Sequence, residues 1–249
     1  MSGEQKVALV TGAARGLGRA IAEALAADGI ALFLVDILAE RLEETRGELA
    51  AKGATVVAHA ADIASRANCV DAVAAAVAHY GRLDILVNAA GIVRFNHATD
   101  VPEDEYRKIF AVNVDAAFFL SQAALPHIIA AKGNIVNVAS QAAKLGSPYI
   151  VPYSMSKAAL AHMTRGLAME YMEAPIRINA VCPGTMATEI GDGLAMPDGI
   201  DYAKIARYGG ERPANEAAEV AAVVAFVASD RASAVHGAIL HADGGVTAG

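Results

Sequence analysis

A tyrosine and a lysine stand four residues apart in the stretch PYSMSKAALAHM, residues 152–163. At helical spacing the side chains of Tyr153 and Lys157 lie on the same face. A phenol can take the proton of an alcohol, or return it to a carbonyl, if its pKa is brought near neutrality, which needs about 4 kcal/mol. An ammonium about 4 Å away supplies that amount at an effective dielectric constant of about 20. The pair therefore has the chemistry of a general acid/base and its cationic partner, although this spacing also occurs by chance in many helices.

A glycine-rich turn near the N-terminus has the residues needed to approach a pyrophosphate. In VTGAARGLGRAIAEAL the glycines Gly12, Gly16 and Gly18 lie between an apolar run and a helical pattern. Glycine permits a tight turn and lets backbone N–H groups and a helix N-terminus come close to phosphate oxygens. The spacing is G-x-x-x-G-x-G rather than the commoner G-x-G-x-x-G. Its position between a strand and a helix nevertheless predicts a dinucleotide site.

The acidic residue that closes the next apolar run, Asp36, bears on which dinucleotide binds. A carboxylate there can accept hydrogen bonds from the ribose hydroxyls, and it repels a 2′-phosphate. Ile37 follows where an NADP enzyme would be expected to offer an arginine, whereas Arg15 in the glycine turn could meet a 2′-phosphate. Because a carboxylate in direct contact outweighs one solvated cation, the sequence favours NAD and leaves NADP open.

Seven short apolar runs alternate with stretches of helical spacing along the chain. The runs are residues 6–11, 30–36, 54–60, 83–91, 133–140, 176–183 and 237–245. Because they lack polar alternation and are separated by helical patterns, they predict a parallel sheet covered on both faces. The expected fold class is α/β: a single-domain doubly wound Rossmann fold over residues 1–249, with helices on both faces of a seven-stranded parallel sheet.

The segment 191–212 interrupts this alternation. It contains five glycines and Pro197 among weak helical patches. It follows the end of the sixth run, and ligands bind at the strand ends of such sheets. We therefore expect a flexible substrate lid here, with an ordinary surface insertion as the alternative.

Composition excludes several classes of function. Twenty basic against 27 acidic residues give a net charge of −7 without a basic run, which argues against a nucleic-acid surface. The two cysteines are far apart and the seven histidines form no zinc motif, so no metal site is expected. Mean hydropathy is +0.37, but alanine carries much of this excess and no uninterrupted apolar run has the length of a membrane span. With no hydrophobic signal region at the N-terminus, the sequence predicts a cytoplasmic protein.

Polar residues at the ends of the other runs complete an ordered set that closely resembles the short-chain dehydrogenase/reductase family. The motifs are TGAARGLG from residue 11, NAAG from 88, an asparagine inside FAVNVDAAFFL, a serine at 140, YSMSK from 153 and PGTMAT from 183. They occur in the family's order and spacing over nearly the whole chain. Two departures are Ala89, where the family usually has a second asparagine, and Met186, where a β-branched residue is usual. Neither removes a catalytic group.

The resemblance implies a role for each motif. Tyr153 would be the general acid/base and Lys157 its partner. Ser140 would orient the substrate, and Asn113 would belong to a proton relay. The residues implied to hold the cofactor are Gly12, Arg15, Gly16, Leu17, Gly18, Asp36, Asp62, Ile63, Asn88, Gly91, Tyr153, Lys157, Pro183, Gly184, Met186 and Thr188.

The resemblance also implies positions along the cofactor and an assembly. Asp62 would lie by the adenine, while Met186 and Thr188 would hold the nicotinamide carboxamide. Relatives are commonly tetramers built through the long helices after the fourth and fifth strands, here near residues 103–131 and 153–172. A homotetramer is therefore expected.

The sequence leaves the substrate open. The preferred function is an NAD(P)-dependent oxidoreductase that interconverts a secondary alcohol and a ketone by hydride transfer, and a 3-oxoacyl-[acyl-carrier-protein] reductase is the best-defined alternative. A non-catalytic nicotinamide-binding regulator is disfavoured because Tyr153 and Lys157 are both present, and the epimerase/dehydratase branch because it needs a longer substrate domain. Enoyl reductases of this fold space their tyrosine and lysine seven residues apart, and residue 150 is isoleucine. The candidate pocket for a small-molecule substrate is mostly apolar with one amide: Val93, Phe95, Gln141, Leu145 and Tyr149.

Overall fold

The computed structural model describes residues 5–186, 196–209 and 212–248. Within these ranges seven parallel strands form one sheet in the order β3-β2-β1-β4-β5-β6-β7. The strands are β1 (Val7–Thr11), β2 (Ala31–Asp36), β3 (Val56–Ala60), β4 (Ile85–Asn88), β5 (Asn134–Val138), β6 (Arg177–Pro183) and β7 (Ile239–Ala242). The predicted doubly wound α/β fold is therefore confirmed.

Helices follow the strands and cover both faces of the sheet. They are α1 (Gly16–Ala27), α2 (Ala39–Ala51), α3 (Arg66–Tyr80), α4 (Glu103–Phe110), α5 (Ala116–Ala131), α6 (Val151–Glu170), α7 (Tyr202–Gly209) and α8 (Ala217–Ala228). A π-helical turn, Ala111–Asp115, joins α4 to α5, and a short 3₁₀ turn, Gln141–Ala143, follows β5.

Two hydrophobic cores explain why the strands show no polar alternation. In β1, Ala8 and Val10 pack into the core beneath α1 and α8, whereas Val7 and Leu9 pack into the core beneath α3 and α5. Successive side chains of a strand point to opposite faces, so a strand covered on both sides must be apolar throughout.

The strands β4 and β7 each end three residues earlier than predicted because local hydrogen bonds replace the ladder. After β4, the backbone N–H groups of Ala89 and Ala90 both donate to Thr11 Oγ1, at 3.1 Å each. After β7, the Asp243 carboxylate accepts from the backbone N–H groups of Gly245 and Thr247, at 2.9 and 3.1 Å. Both strand ends therefore turn away at the carboxyl edge of the sheet.

The strand β1 pairs with β2 on one side and with β4 on the other. From β1 the strands therefore continue towards one edge of the sheet as β2 and β3, and towards the other edge as β4 to β7. The connections that leave these strands diverge to opposite faces, so a crevice opens between them at the carboxyl edge. This crevice positions the site described below.

One helical stretch in the described ranges, Glu103–Ala131, is long and apolar enough on average to cross a membrane. Its α5 portion buries Leu120, Ala124 and Ile128 in the core shared with α3. Because 44% of the most apolar window of this stretch is buried, core packing accounts for part of its apolar composition.

Candidate active site

A cavity of about 470 Å³ opens at the carboxyl edge, lined by residues that end or follow the first six strands. Most of the sequence-predicted residues line it: Gly12, Arg15, Gly16, Leu17, Gly18, Asp36, Asp62, Ile63, Gly91, Val93, Phe95, Ser140, Gln141, Tyr153, Lys157, Pro183, Gly184 and Met186. Residues that are up to 174 positions apart in the chain are brought together because parallel strands end at the same edge.

The glycine turn between β1 and α1 is closely packed against its own backbone. Gly12 and Gly16 have positive φ values of 70° and 54°, which only glycine adopts without strain. A Cβ on Gly18 would lie 2.0 Å from the carbonyl oxygen of Gly12, and a Cβ on Gly12 would lie 2.8 Å from Ala90 Cα. This cradle of bare backbone at the N-terminus of α1 fits the pyrophosphate of a dinucleotide.

The Asp36 carboxylate is held in place at the end of β2. Its Oδ2 accepts from the Ala14 backbone N–H and its Oδ1 from the Leu38 backbone N–H, each at 3.0 Å. The side chain is therefore a fixed anionic acceptor beside the glycine turn. A ribose with two free hydroxyls fits such a group, and a 2′-phosphate is repelled by it.

A second carboxylate, Asp62, lines the same end of the cavity after β3. It accepts from the Ala64 backbone N–H and pairs with the Lys108 ammonium, both at 3.0 Å. These contacts hold the pKa of Asp62 below its usual value, with the Ala64 hydrogen bond the largest cause. Lys108 also lines the cavity. The sequence reasoning missed it, because only the packing of α4 brings this exposed helical residue to the site.

At the opposite end of the cavity, the Ser140 hydroxyl lies beside the Tyr153 phenol. Ser140 also accepts from the Ala142 backbone N–H at 3.1 Å, as the cap of the 3₁₀ turn after β5. Burial raises the pKa of the Tyr153 phenol to about 12, against the smaller opposite effect of the Ser140 hydrogen bond. The phenol is therefore protonated at neutral pH.

The Lys157 ammonium is buried beside this pair. Its Nζ donates to the Val138 carbonyl at 2.9 Å and lies 5.8 Å from the centre of the Tyr153 ring. Burial lowers the pKa of Lys157 to about 8. The expectation that Lys157 brings the pKa of Tyr153 near neutrality is wrong for this structure. The ammonium donates to the Val138 carbonyl, and burial of the phenol is the largest cause of its raised pKa.

Asn113 lies behind the cavity, in the π-helical turn between α4 and α5. Its Oδ1 accepts from the Ile92 backbone N–H at 2.8 Å, and its Nδ2 donates to the Ile92 carbonyl at 3.0 Å and to Ser156 Oγ at 2.9 Å. Ser156 in turn donates to the Tyr153 carbonyl at 2.6 Å. The amide thus ties the loop after β4 to the first turn of α6. Its predicted part in a proton relay stays a prediction.

This geometry can be compared with that of known proteins. The family model described as "Enoyl-(Acyl carrier protein) reductase" matches residues 12–247. The chain is 34% identical to meso-2,3-butanediol dehydrogenase of Serratia marcescens, covering 98% of this chain and 96% of that protein. It is 38% identical to 2-(R)-hydroxypropyl-CoM dehydrogenase of Xanthobacter autotrophicus, covering 98% and 99%.

A solved structure agrees with these matches. The crystal structure of a short-chain dehydrogenase from Burkholderia cenocepacia in complex with NADP superposes with a TM-score of 0.88, at 35% identity over 98% of both chains. The chain belongs to the short-chain dehydrogenase/reductase family. It is accordingly an NAD(P)-dependent oxidoreductase.

The short-chain dehydrogenase/reductase fold does not bring every predicted residue to the cavity. Asn88 points to the opposite side of β4, where its Nδ2 donates to Asn137 Oδ1 at 2.8 Å and to Ser121 Oγ at 3.3 Å. Its side chain therefore does not line the cavity as predicted, because successive strand residues face opposite ways. Thr188 lies outside the described residues.

Two of the predicted substrate-pocket residues also lie elsewhere. Tyr149 has a positive φ of 65°, and its ring lies perpendicular to that of His97 with the ring centres 5.3 Å apart. Its phenol oxygen accepts a hydrogen bond from the Asp201 backbone N–H at 2.9 Å. Leu145 lines a neighbouring cavity of about 440 Å³ with Lys204 and Arg207. Neither side chain lines the cavity that holds Tyr153.

The helix α7 supplies a residue of the short-chain dehydrogenase/reductase site that the sequence did not reveal. The Tyr208 phenol lies beside Ser140, Gln141 and Ser147, the Tyr208 carbonyl accepts from Gln141 Nε2 at 3.1 Å, and Tyr208 lines both cavities. Its pKa is raised, chiefly by burial. No motif marks this tyrosine, because it belongs to the irregular segment 191–212. Residues 191–195 and 210–211 of the predicted lid lie outside the described ranges, so the lid stays a prediction.

Proposed function

We propose that the protein interconverts a secondary alcohol and a ketone with NAD, using Tyr153 as the general acid/base. The observation that carries this proposal is the Ser140–Tyr153–Lys157 cluster at one end of a cavity whose other end is the glycine cradle beside Asp36. Such a cavity can hold both ends of a dinucleotide and place an alcohol next to a proton acceptor. The two related proteins named as dehydrogenases of a butanediol and of a hydroxypropyl compound support an alcohol as substrate.

The side chains divide the work of the reaction. A bound NAD would supply the acceptor for the hydride of the carbinol carbon. Ser140 holds the substrate oxygen, and Tyr153 takes its proton in oxidation and returns it in reduction. Lys157, fixed by the Val138 carbonyl, would hold the nicotinamide ribose and provide the positive charge that favours the phenolate. Because the pKa of Tyr153 is raised, the proton-donating form prevails at neutral pH, which favours reduction there.

We propose NAD as the preferred cofactor because the Asp36 carboxylate, held by two backbone N–H groups beside the glycine turn, would repel a 2′-phosphate. Replacing Asp36 with asparagine keeps an acceptor oxygen but removes the charge. We expect Asp36→Asn to lower the ratio of kcat/KM for NAD over NADP by about 10-fold or more, the size of a lost repulsion between nearby charges. Steady-state kinetics with both cofactors measure this ratio.

A matched control for this variant is Glu40→Gln on α2, which makes the same change of charge on an exposed residue outside the cavity. The control should leave the ratio unchanged. The structure of the Burkholderia relative contains NADP, so the wild-type protein is also compared with NAD and with NADP. A wild-type protein that already prefers NADP would contradict the role given to Asp36.

The reaction itself is tested with a panel of secondary alcohols and ketones, offered with NAD(H) and NADP(H), by following the absorbance of the reduced nicotinamide. Turnover of secondary alcohols is the expected result. The panel includes 3-oxoacyl and enoyl thioesters, because the description of the matching family model names an acyl-carrier-protein substrate. Reduction of a thioester without turnover of any alcohol or ketone would replace the proposal with that second function.

We further propose a cytoplasmic homotetramer. Apolar side chains are exposed on the two helices expected at the subunit contacts, including Phe118 on α5 and Met155 and Met169 on α6, which are 39%, 47% and 66% exposed. Burial of such side chains between subunits would be favourable. Sedimentation at micromolar concentration measures the assembly.

A further inference from the structure

We propose that Asp243 is a positioning residue, which fixes the cavity wall against which the nicotinamide half of the cofactor would lie. It would act through the C-terminal turn, residues 243–247, which packs behind this wall and is joined to the turn that begins at Ser140. No residue of the C-terminal turn lines the cavity itself. The inference rests on the proposed function, which places the nicotinamide at the Tyr153 end of the cavity.

Asp243 is a buried carboxylate directly after β7, only 6% exposed. Its Oδ1 accepts from the Gly245 backbone N–H at 2.9 Å, and its Oδ2 accepts from the backbone N–H and the hydroxyl of Thr247, at 3.1 and 2.5 Å. Burial acts to raise the pKa of Asp243, but the hydrogen bonds from Thr247 and Gly245 outweigh it and keep the pKa below its usual value. Three donors therefore surround a carboxylate, and charge-assisted hydrogen bonds hold the turn closed.

The C-terminal turn contacts the cavity wall at Gly184. A Cβ on Gly184 would lie 2.7 Å from the Cα of Asp243 and 3.0 Å from its carbonyl oxygen, so the two backbones touch. No side chain lies between them to absorb a displacement. Gly184 lines the cavity together with Pro183 and Thr185. A shift of the backbone at Asp243 would therefore move the wall itself.

The same wall is attached to the residue that precedes Asp243. The Ala242 carbonyl accepts from the Gly184 N–H at 3.1 Å and from Asn215 Nδ2 at 3.4 Å. The Asn215 backbone N–H in turn donates to the Thr185 carbonyl at 2.9 Å. The loop after β6 is thus held from both sides, and each of these attachments depends on where the chain passes from β7 into the C-terminal turn.

A further contact joins the C-terminal turn to the turn that begins at Ser140. Lys144 Nζ donates to the Thr247 carbonyl at 2.5 Å. Lys144 also closes the 3₁₀ turn after β5, because its N–H donates to the Gln141 carbonyl at 3.0 Å, while Ser140 caps the same turn. The C-terminal turn therefore supports two groups at once, the wall beside the nicotinamide and the hydroxyl that holds the substrate. A displacement of about 1 Å between reacting groups can cost about 100-fold in rate.

The test measures by isothermal titration the affinities for NADH and for ADP-ribose, which lacks the nicotinamide. In the wild type NADH should bind about 10-fold more tightly, because only NADH can contact the wall at Gly184. Asp243→Asn places an amide NH₂ group among the donors of the C-terminal turn, so at least one hydrogen bond is lost. We expect it to weaken NADH binding by about 10-fold and to leave ADP-ribose binding within about twofold of the wild type.

Asp84→Asn is the matched control. Asp84 is also a buried carboxylate, 2% exposed, but it lies just before β4 at the amino edge of the sheet. There it accepts from the Val7 backbone N–H at 2.9 Å and from Arg82 Nη2 at 2.7 Å. This variant should lower the melting temperature, as Asp243→Asn does, but it should keep the ratio of the two affinities. A loss of stability alone therefore does not produce the expected shift.

Two milder variants keep the inference testable if Asp243→Asn folds poorly. Thr247→Val removes one hydroxyl donor and should shift the affinity ratio in the same direction by about threefold. Lys144→Met removes the contact with the Thr247 carbonyl, and it should lower kcat by about 10-fold while NADH affinity stays within about twofold. Lys144→Arg can keep this hydrogen bond and should restore kcat. Lys52→Met, an exposed change at the C-terminus of α2, should leave kcat unchanged.

An unchanged affinity ratio in both Asp243→Asn and Thr247→Val, or equal weakening of NADH and ADP-ribose, would overturn the inference. A wild type that binds NADH no more tightly than ADP-ribose would also overturn it, because the wall would then contribute nothing to nicotinamide binding. Unchanged kcat in Lys144→Met would overturn the link to Ser140. The titrations contain no substrate, so these outcomes leave the proposed reaction intact. Cofactor binding by the wild type without turnover of any alcohol or ketone would instead overturn the proposed function.

Discussion

Replacing Tyr153 with phenylalanine is expected to lower kcat by about 10³-fold, the usual contribution of a positioned general acid/base. The substitution removes only the phenolic oxygen, so the packing of α6 and the position of Lys157 are kept. The affinity for NAD should change by less than about twofold, because the glycine cradle and Asp36 lie at the other end of the cavity. Single-turnover rates and isothermal titration with NAD separate the two effects.

The pH dependence of the same variant sharpens the prediction. The pKa of Tyr153 is raised to about 12, so the fraction of phenolate grows with pH throughout the range in which the enzyme can be assayed. The rate of alcohol oxidation by the wild type should therefore rise with pH above neutrality, whereas that of Tyr153→Phe should lose this rise. Tyr149→Phe is the control, since its phenol bonds to the Asp201 N–H and not to the catalytic groups. Full activity of Tyr153→Phe would show that this tyrosine is not the general acid/base.

The sequence correctly predicted which residues are neighbours where these residues lie at the ends of parallel strands. Gly12, Asp36 and Ser140 each end or follow a strand, and such ends meet at one edge of the sheet whatever the side chains between them do. The order of motifs along the chain was therefore enough to predict the cavity. Asn88 also ends a strand, but its side chain does not line the cavity as predicted. The prediction was wrong because a side chain at a strand end can face either side of the sheet.

The contacts that could not be predicted depend on how helices pack. Lys108 reaches Asp62 only because α4 lies against the loop after β3, and Tyr208 reaches Ser140 only because α7 folds back over the site. The sequences of these two helices do not indicate which part of the protein each helix packs against. The raised pKa of Tyr153 could not be predicted either, since it depends on burial, which the four-residue spacing to Lys157 does not report.

Replacing Gly18 with alanine is expected to weaken NAD binding by about 100-fold or more. A Cβ there would lie 2.0 Å from the Gly12 carbonyl oxygen and 2.6 Å from its carbon. Both are backbone atoms, so α1 must move away from the turn that follows β1, and the N–H groups that face the pyrophosphate move with it. The strain should also lower the free energy of unfolding by about 3 kcal/mol, as overpacking does.

The matched control for this substitution is Gly47→Ala in α2. Apart from its chain neighbours and the backbone of its own helix, no heavy atom of the described residues lies within 4 Å of a Cβ built on Gly47, and its backbone is helical. Alanine should therefore stabilise the protein by about 0.5–1 kcal/mol and leave the affinity for NAD unchanged. Isothermal titration with NAD and urea unfolding measure both quantities in the two variants. If Gly18→Ala kept the affinity and stability of the wild type, the close approach of α1 to the glycine turn could not be what forms the cofactor cradle, because the two backbones would have separated without loss.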